Sequence, residues 1–156
     1  MKKIDVGQTL QIVGNFGVIL GILLLVYELN QNRDMAAAQI RNSLAQATAT
    51  LMRDEAQNVQ VLDVSMRGIA GEPLTPLEQQ QFVLIWMAYI EMWENSHYQY
   101  RVGLFDKTEY ESQRSNWLRL LAHPGILSIW CSPMGRSNSK LFVADIDELL
   151  GDAGCE

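Results

Sequence analysis

The sequence predicts an all-α protein in which an N-terminal transmembrane helix continues into a long amphipathic helix, followed by an antiparallel helical bundle. Three observations lead there. Residues 6–27 contain no charged side chain. No proline occurs before Pro73 and no glycine between Gly21 and Gly68, so nothing in that stretch obliges a helix to stop. Further on, apolar residues return at helical spacing, and no segment shows the strict alternation of a half-buried strand. The expected division is an anchor over residues 1–30 and a helical domain over residues 31–156.

The uncharged run matches the roughly 20 residues that a helix needs to cross a hydrocarbon layer about 30 Å thick. A cleaved signal peptide is the competing reading, with Lys2 and Lys3 as the basic region and Ala36-Ala37-Ala38 as a cleavage site. Glu28, Arg33 and Asp34, which lie between the apolar core and those alanines, speak against it. Placing residues at 100° intervals puts Gly7, Gly14, Gly17 and Gly21 in one sector and Gln8, Gln11 and Asn15 in the next, with Phe16, Leu20 and Leu24 opposite. Small residues let helices approach closely in lipid, and Gly17 and Gly21 have the spacing of the small-xxx-small pattern. Amides at membrane depth turn toward another helix or toward water. The glycines are therefore the expected helix–helix interface. Gln8, Gln11 and Asn15 are expected either to bond between helices or to line a pore if the helices close into a ring.

Beyond the membrane, Ala36, Ile40, Leu44, Leu51, Val59, Leu62, Met66 and Ile69 suggest one inner stripe, and a single helix is expected to run to about Arg67. If it breaks earlier, the polar cluster Asn30-Gln31-Asn32-Arg33 is the expected place. "GEPLTPLEQQQF" is a stop and restart: Gly68 and Gly71 end one helix, while Thr75, Pro76 and Glu78 supply the cap, first-turn proline and reciprocal glutamate of the next. That helix holds an apolar run over residues 82–90 and should be the most buried of the domain, its deepest stripe being Phe82, Trp86, Tyr89, Trp93, Ser96 and Tyr100. Asp106 caps a further helix with Tyr110, Trp117, Leu118 and Leu121 inward. His123-Pro124-Gly125 ends it, a short helix follows over residues 125–131, and "SPMGRSNS" is a loop. A last helix over residues 140–150 turns Phe142, Ile146, Leu149 and Leu150 inward.

Composition removes several functions. The net charge is −6, with Asp145, Asp147, Glu148, Asp152 and Glu156 crowding the C-terminus, and no Lys/Arg stripe exists to meet a phosphate backbone. Nucleic acid is thus not an expected partner. Cys131 and Cys155 lack a C-x-x-C spacing and are expected as a buried Cys131 and a free Cys155, with one disulfide between them as the alternative; the lack of a disulfide pattern tilts the domain toward the cytoplasmic side. Lys2 and Lys3 before the membrane balance Arg33 and Arg41 after it, so basic residues set no orientation. Glu91, Glu94 and His97 in "EMWENSH" are the weak metal candidates: Glu94 and His97 have the i, i+3 spacing of di-iron bundles, but no second such pair is present. The alternative is that Glu94 pairs with Arg101 or Tyr98 on a partly exposed flank and His97 is a boundary residue between core and surface. No nucleotide loop, zinc-protease or nucleophile-elbow motif occurs, and no cofactor is expected.

The chain resembles a widespread set of small bacterial single-pass membrane proteins. The resemblance lies in an apolar helix running straight into Tyr27-Glu28-Leu29-Asn30-Gln31-Asn32-Arg33, and in a central pattern made by Glu94, Asn95, Tyr98, Gln99, Arg101, Gly103 and Leu104. It implies the same architecture, a bacterial inner membrane and lipid as neighbour, and no chemistry. Together these readings lead to a non-enzymatic membrane protein that assembles as a homo-oligomer or joins a larger complex. The alternatives are an oligomeric ion channel and, more weakly, a metal-dependent helical enzyme.

Overall fold

A computed structural model describes residues 6–155, with the side chains at positions 6, 8 and 9 outside the described set. Six α-helices follow in order: α1 (Val6–Gln57), α2 (Val59–Ala70), α3 (Pro76–Arg101), α4 (Lys107–Leu121), α5 (Pro124–Trp130) and α6 (Lys140–Leu150). Two 3-10 turns, Gly135–Ser137 and Gly151–Ala153, flank α6, and no strand occurs among the described residues. The chain divides into two compact units, Met1–Gln39 and Ile40–Glu156.

Helix α1 passes through Asn30-Gln31-Asn32-Arg33 without a break. It ends at Gln57, short of the expected Arg67, because Asn58 leaves the helical region (φ −113°, ψ 99°). The Asn58 side-chain oxygen accepts from the amides of Gln60 and Val61, both at 3.2 Å, and so starts α2. Asparagine is among the best residues for this capping role. The break also rephases the apolar stripe. Val64, Ser65 and Gly68 are buried, whereas Val59, Leu62 and Met66, expected inside, are exposed.

Helix α2 ends in a Schellman motif: the Glu72 amide donates to the Arg67 carbonyl and the Gly71 amide to that of Gly68, each at 3.0 Å. Gly71 takes the left-handed conformation that this requires, φ 75°. Gly68, expected as part of the stop, lies within α2 against the Phe82 ring. The capping box of α3 forms as its residues predict, with the Thr75 amide donating to Glu78 at 2.8 Å and the Glu78 amide to the Thr75 hydroxyl at 3.4 Å.

The core is aromatic. Helices α2, α4, α5 and α6 all pack on α3, whose buried residues are Phe82, Trp86, Ile90, Trp93, Ser96 and His97. Tyr89 and Tyr100, expected in the deepest stripe, are only half-buried; the Tyr89 hydroxyl donates to Glu55 at 3.2 Å, and Tyr100 stacks on Tyr110 at 4.2 Å. Trp93 stacks on Trp117 at 5.6 Å, and Trp130 meets the edge of Phe142 at the same distance. All four tryptophans are buried core residues. Each large side chain so removed from water contributes about 1.5–3 kcal/mol.

The expected free thiols are instead joined: Cys131 and Cys155 form a disulfide with Cα atoms 5.4 Å apart. Cys131 caps the C-terminus of α5, and a turn at Gly151 (φ 52°) brings the tail back beside it. Proximity across 24 residues depends on how α6 packs, which spacing along the chain does not encode.

Candidate functional site

Two places in the molecule expose chemistry that packing does not consume, and each lies within one unit. The first is the N-terminal half of α1. It is the one described helix long and apolar enough to cross a membrane, with a mean hydropathy of 2.1 and nothing in that window buried. The large apolar side chains from Leu10 to Leu29 are exposed, from 49% at Val26 to 73% at Phe16. A run of this kind is costly in water and stable in hydrocarbon. A Cβ placed on Gly14, Gly17 or Gly21 would meet nothing within 4 Å, so this part of the glycine sector is open to a partner. Gly7 is exposed at the start of the same sector, as are Gln11 and Asn15 in the neighbouring one. The side chain of Gln8 lies outside the described residues. The helical backbone continues through Ala36, Ala37 and Ala38, with the first two half-buried.

The second is a cleft of about 550 Å³ within the helical domain, between the C-terminal half of α1, α3 and α4. Leu44, Trp93, Phe105 and Trp117 make its apolar floor, and Arg41, Glu109, Gln113 and Asn116 stand at its rim. Arg41 and Glu109 are paired at 2.7 Å. The Ser96 hydroxyl donates to the Met92 carbonyl at 3.1 Å. No histidine or cysteine lines the cleft; its carboxylate, Glu109, is held by Arg41, and the Tyr89 hydroxyl donates to Glu55 at 3.2 Å, with burial and that carboxylate pushing its pKa up to about 12.

The "EMWENSH" candidates do not converge. Glu94 accepts from the amide of Ser139 at 2.7 Å and so caps α6, replacing the expected partners Arg101 and Tyr98. His97, expected at the boundary, is buried between the rings of Tyr110 and Phe142, at 6.2 and 5.6 Å. Burial lowers the His97 pKa, with Arg101 and Arg114 acting in the same direction and Asp145 and Glu94 opposing. Glu91 is exposed. Among the described residues no three His, Cys, Asp or Glu side chains come together as a metal site.

The acidic C-terminal helix is more neutralised than its sequence implies. Asp145 accepts from Tyr110 at 2.8 Å and pairs with Arg114 at 2.8 Å, tying α6 to α4. Burial, reinforced by that carboxylate, raises the Tyr110 pKa far above the usual phenol range. Asp147 takes a bidentate bond from Arg136, at 2.5 and 2.6 Å, while the same guanidinium lies over the Trp130 ring at 5.5 Å. The Arg136 bond lowers the Asp147 pKa. Sequence reasoning missed these pairs because Arg114 and Arg136 lie on other elements, at separations with no local signature.

Set against known proteins, the chain matches no family profile, no curated protein and no solved structure. The class that fold and site define is an all-helical protein with one candidate membrane helix among the described residues.

Proposed function

We propose that this is a non-enzymatic single-pass membrane protein that assembles through α1, as a homo-oligomer or as a subunit of a larger membrane complex. One observation carries the reading. The apolar half of α1 is exposed all round, and its glycine sector is open at Gly14, Gly17 and Gly21. Lipid covers the large side chains, and a second helix fits against the glycines, where close approach lets van der Waals contact replace lipid packing. A bacterial inner membrane is the expected setting, from the resemblance of residues 27–33 and 94–104 to single-pass proteins of that membrane.

The test is the native mass of the full-length chain in mild detergent, beside a Gly17→Leu, Gly21→Leu variant. A discrete oligomer that dissociates in the variant is the expected result. An unchanged mass in the variant would overturn the glycine interface, and a chain fully soluble without detergent would overturn the membrane assignment. Ion conductance by the purified oligomer in planar bilayers would replace accessory assembly with the pore reading, in which Gln11 and Asn15 face the conduction path.

A further inference from the structure

We infer that the helical domain lies on the oxidising side of the membrane that α1 crosses. The inference rests on the membrane reading just given and adds its orientation. Its carrier is the Cys131–Cys155 disulfide. Disulfides persist in oxidising compartments and are kept reduced in the cytosol, where those that form are transient and catalytic or redox-sensing. This one has the placement of a staple. It closes the segment of residues 131–155 around α6, whose Phe142 and Ile146 are fully buried, and holds the last described residue of the chain to the end of α5. There is no C-x-x-C spacing of the kind that exchanging dithiols use. The preference for a cytoplasmic domain rested on the absence of a disulfide, and that premise is gone. Balanced basic residues on the two flanks of the membrane run offer no opposing signal.

The chemistry implies a partner class. Joining the two thiols forms one S–S bond and releases two protons and two electrons. The electrons pass by thiol–disulfide exchange to the disulfide of an oxidase, which leaves as a dithiol. Such an oxidant acts outside the reducing cytosol. The domain is therefore expected to cross the membrane before it is oxidised and stapled.

Full-length protein made in bacterial cells is quenched in acid, denatured and treated with a maleimide-linked polymer, with and without prior reduction. Cys131→Ser, Cys155→Ser serves as the unlabelled control. Carbonate extraction of the membranes and protease treatment of spheroplasts are run in parallel. The expected result is a carbonate-resistant chain that takes up two tags only after reduction and loses its helical domain to protease. A membrane-retained chain with both thiols free, or one protected from protease in spheroplasts, overturns the orientation and leaves the membrane reading standing. A carbonate-released chain that is still oxidised, or one cleaved near Ala38, overturns the membrane reading alone.

Discussion

Gly125, the second residue of α5, lies against the backbone carbonyl of Gly68 in α2 so closely that a Cβ at position 125 would run into that oxygen. The two glycines let α2 and α5 meet backbone to backbone, and Gly68 also leaves room for the Phe82 ring, which a Cβ there would approach to 2.5 Å. Gly125→Ala is expected to destabilise the domain by about 2–3 kcal/mol, since backbone cannot yield as a side chain does. A lower urea midpoint with unchanged slope is the readout. An unshifted midpoint would mean that α5 is free to move away from α2.

Glu94 caps α6 across 45 residues of sequence, its carboxylate meeting the Ser139 amide where the helix dipole favours negative charge. Glu94→Ala should cost about 1 kcal/mol, and Glu94→Gln, which keeps an acceptor, should cost less. Added divalent cation should leave the melting temperature of the parent protein unchanged. A cation-dependent rise lost in Glu94→Gln would restore the metal reading.

Stability should fall in acid in two windows. Burial lowers the His97 pKa, so its contribution is complete above the unfolded value near 6.5 and is lost as pH falls below it, where the unfolded chain takes up a proton that the buried ring resists. The Glu78 carboxyl is held down to about 2 by its bond from Arg67 and by the Thr75 amide and hydroxyl. Its contribution is complete above the ordinary value of 4.5 and fades as pH falls toward about 2. Denaturant midpoints measured against pH should show a smaller lower window in Glu78→Gln, with the part due to Asp147 remaining, and an unchanged upper one.

Removing the staple should loosen the C-terminus without dissolving the fold. The chain-entropy account of a loop of this length gives about 3.5 kcal/mol for Cys131→Ser, Cys155→Ser. Hydrogen exchange should accelerate first in α6, which also keeps its Arg114–Asp145 ties to α4. Equal acceleration in α3 would show that the bond supports the whole core.

Much of the helical domain was legible from local chemistry. Thr75, Pro76 and Glu78 announce α3, and Asp106 announces α4 by accepting from the Thr108 and Glu109 amides, at 2.8 and 3.1 Å. The end of α1 was not legible. Asn58 is an adequate helix residue in one context and a strong cap in another, and the choice is made when burying Val64 and Gly68 rewards a new helix phase. The same holds for Ile90 and His97, buried where Tyr89 and Tyr100 were expected, because several helices pack on α3 and a one-sided stripe undercounts the faces covered.

The sequence by itself determined the all-helical class, the apolar run of residues 6–27, the glycine and amide sectors and most caps, because each depends on spacing along a single helix or on its nearest neighbours in the chain. Only the tertiary structure decided that Cys131 meets Cys155, that Glu94 caps α6 and that Asp145 and Asp147 are neutralised by Arg114 and Arg136. Those partners stand 11 to 45 residues apart, and what brings them together is the packing of α6 onto the aromatic core. That contact is set by the summed burial of many side chains, and no single pair announces it along the chain.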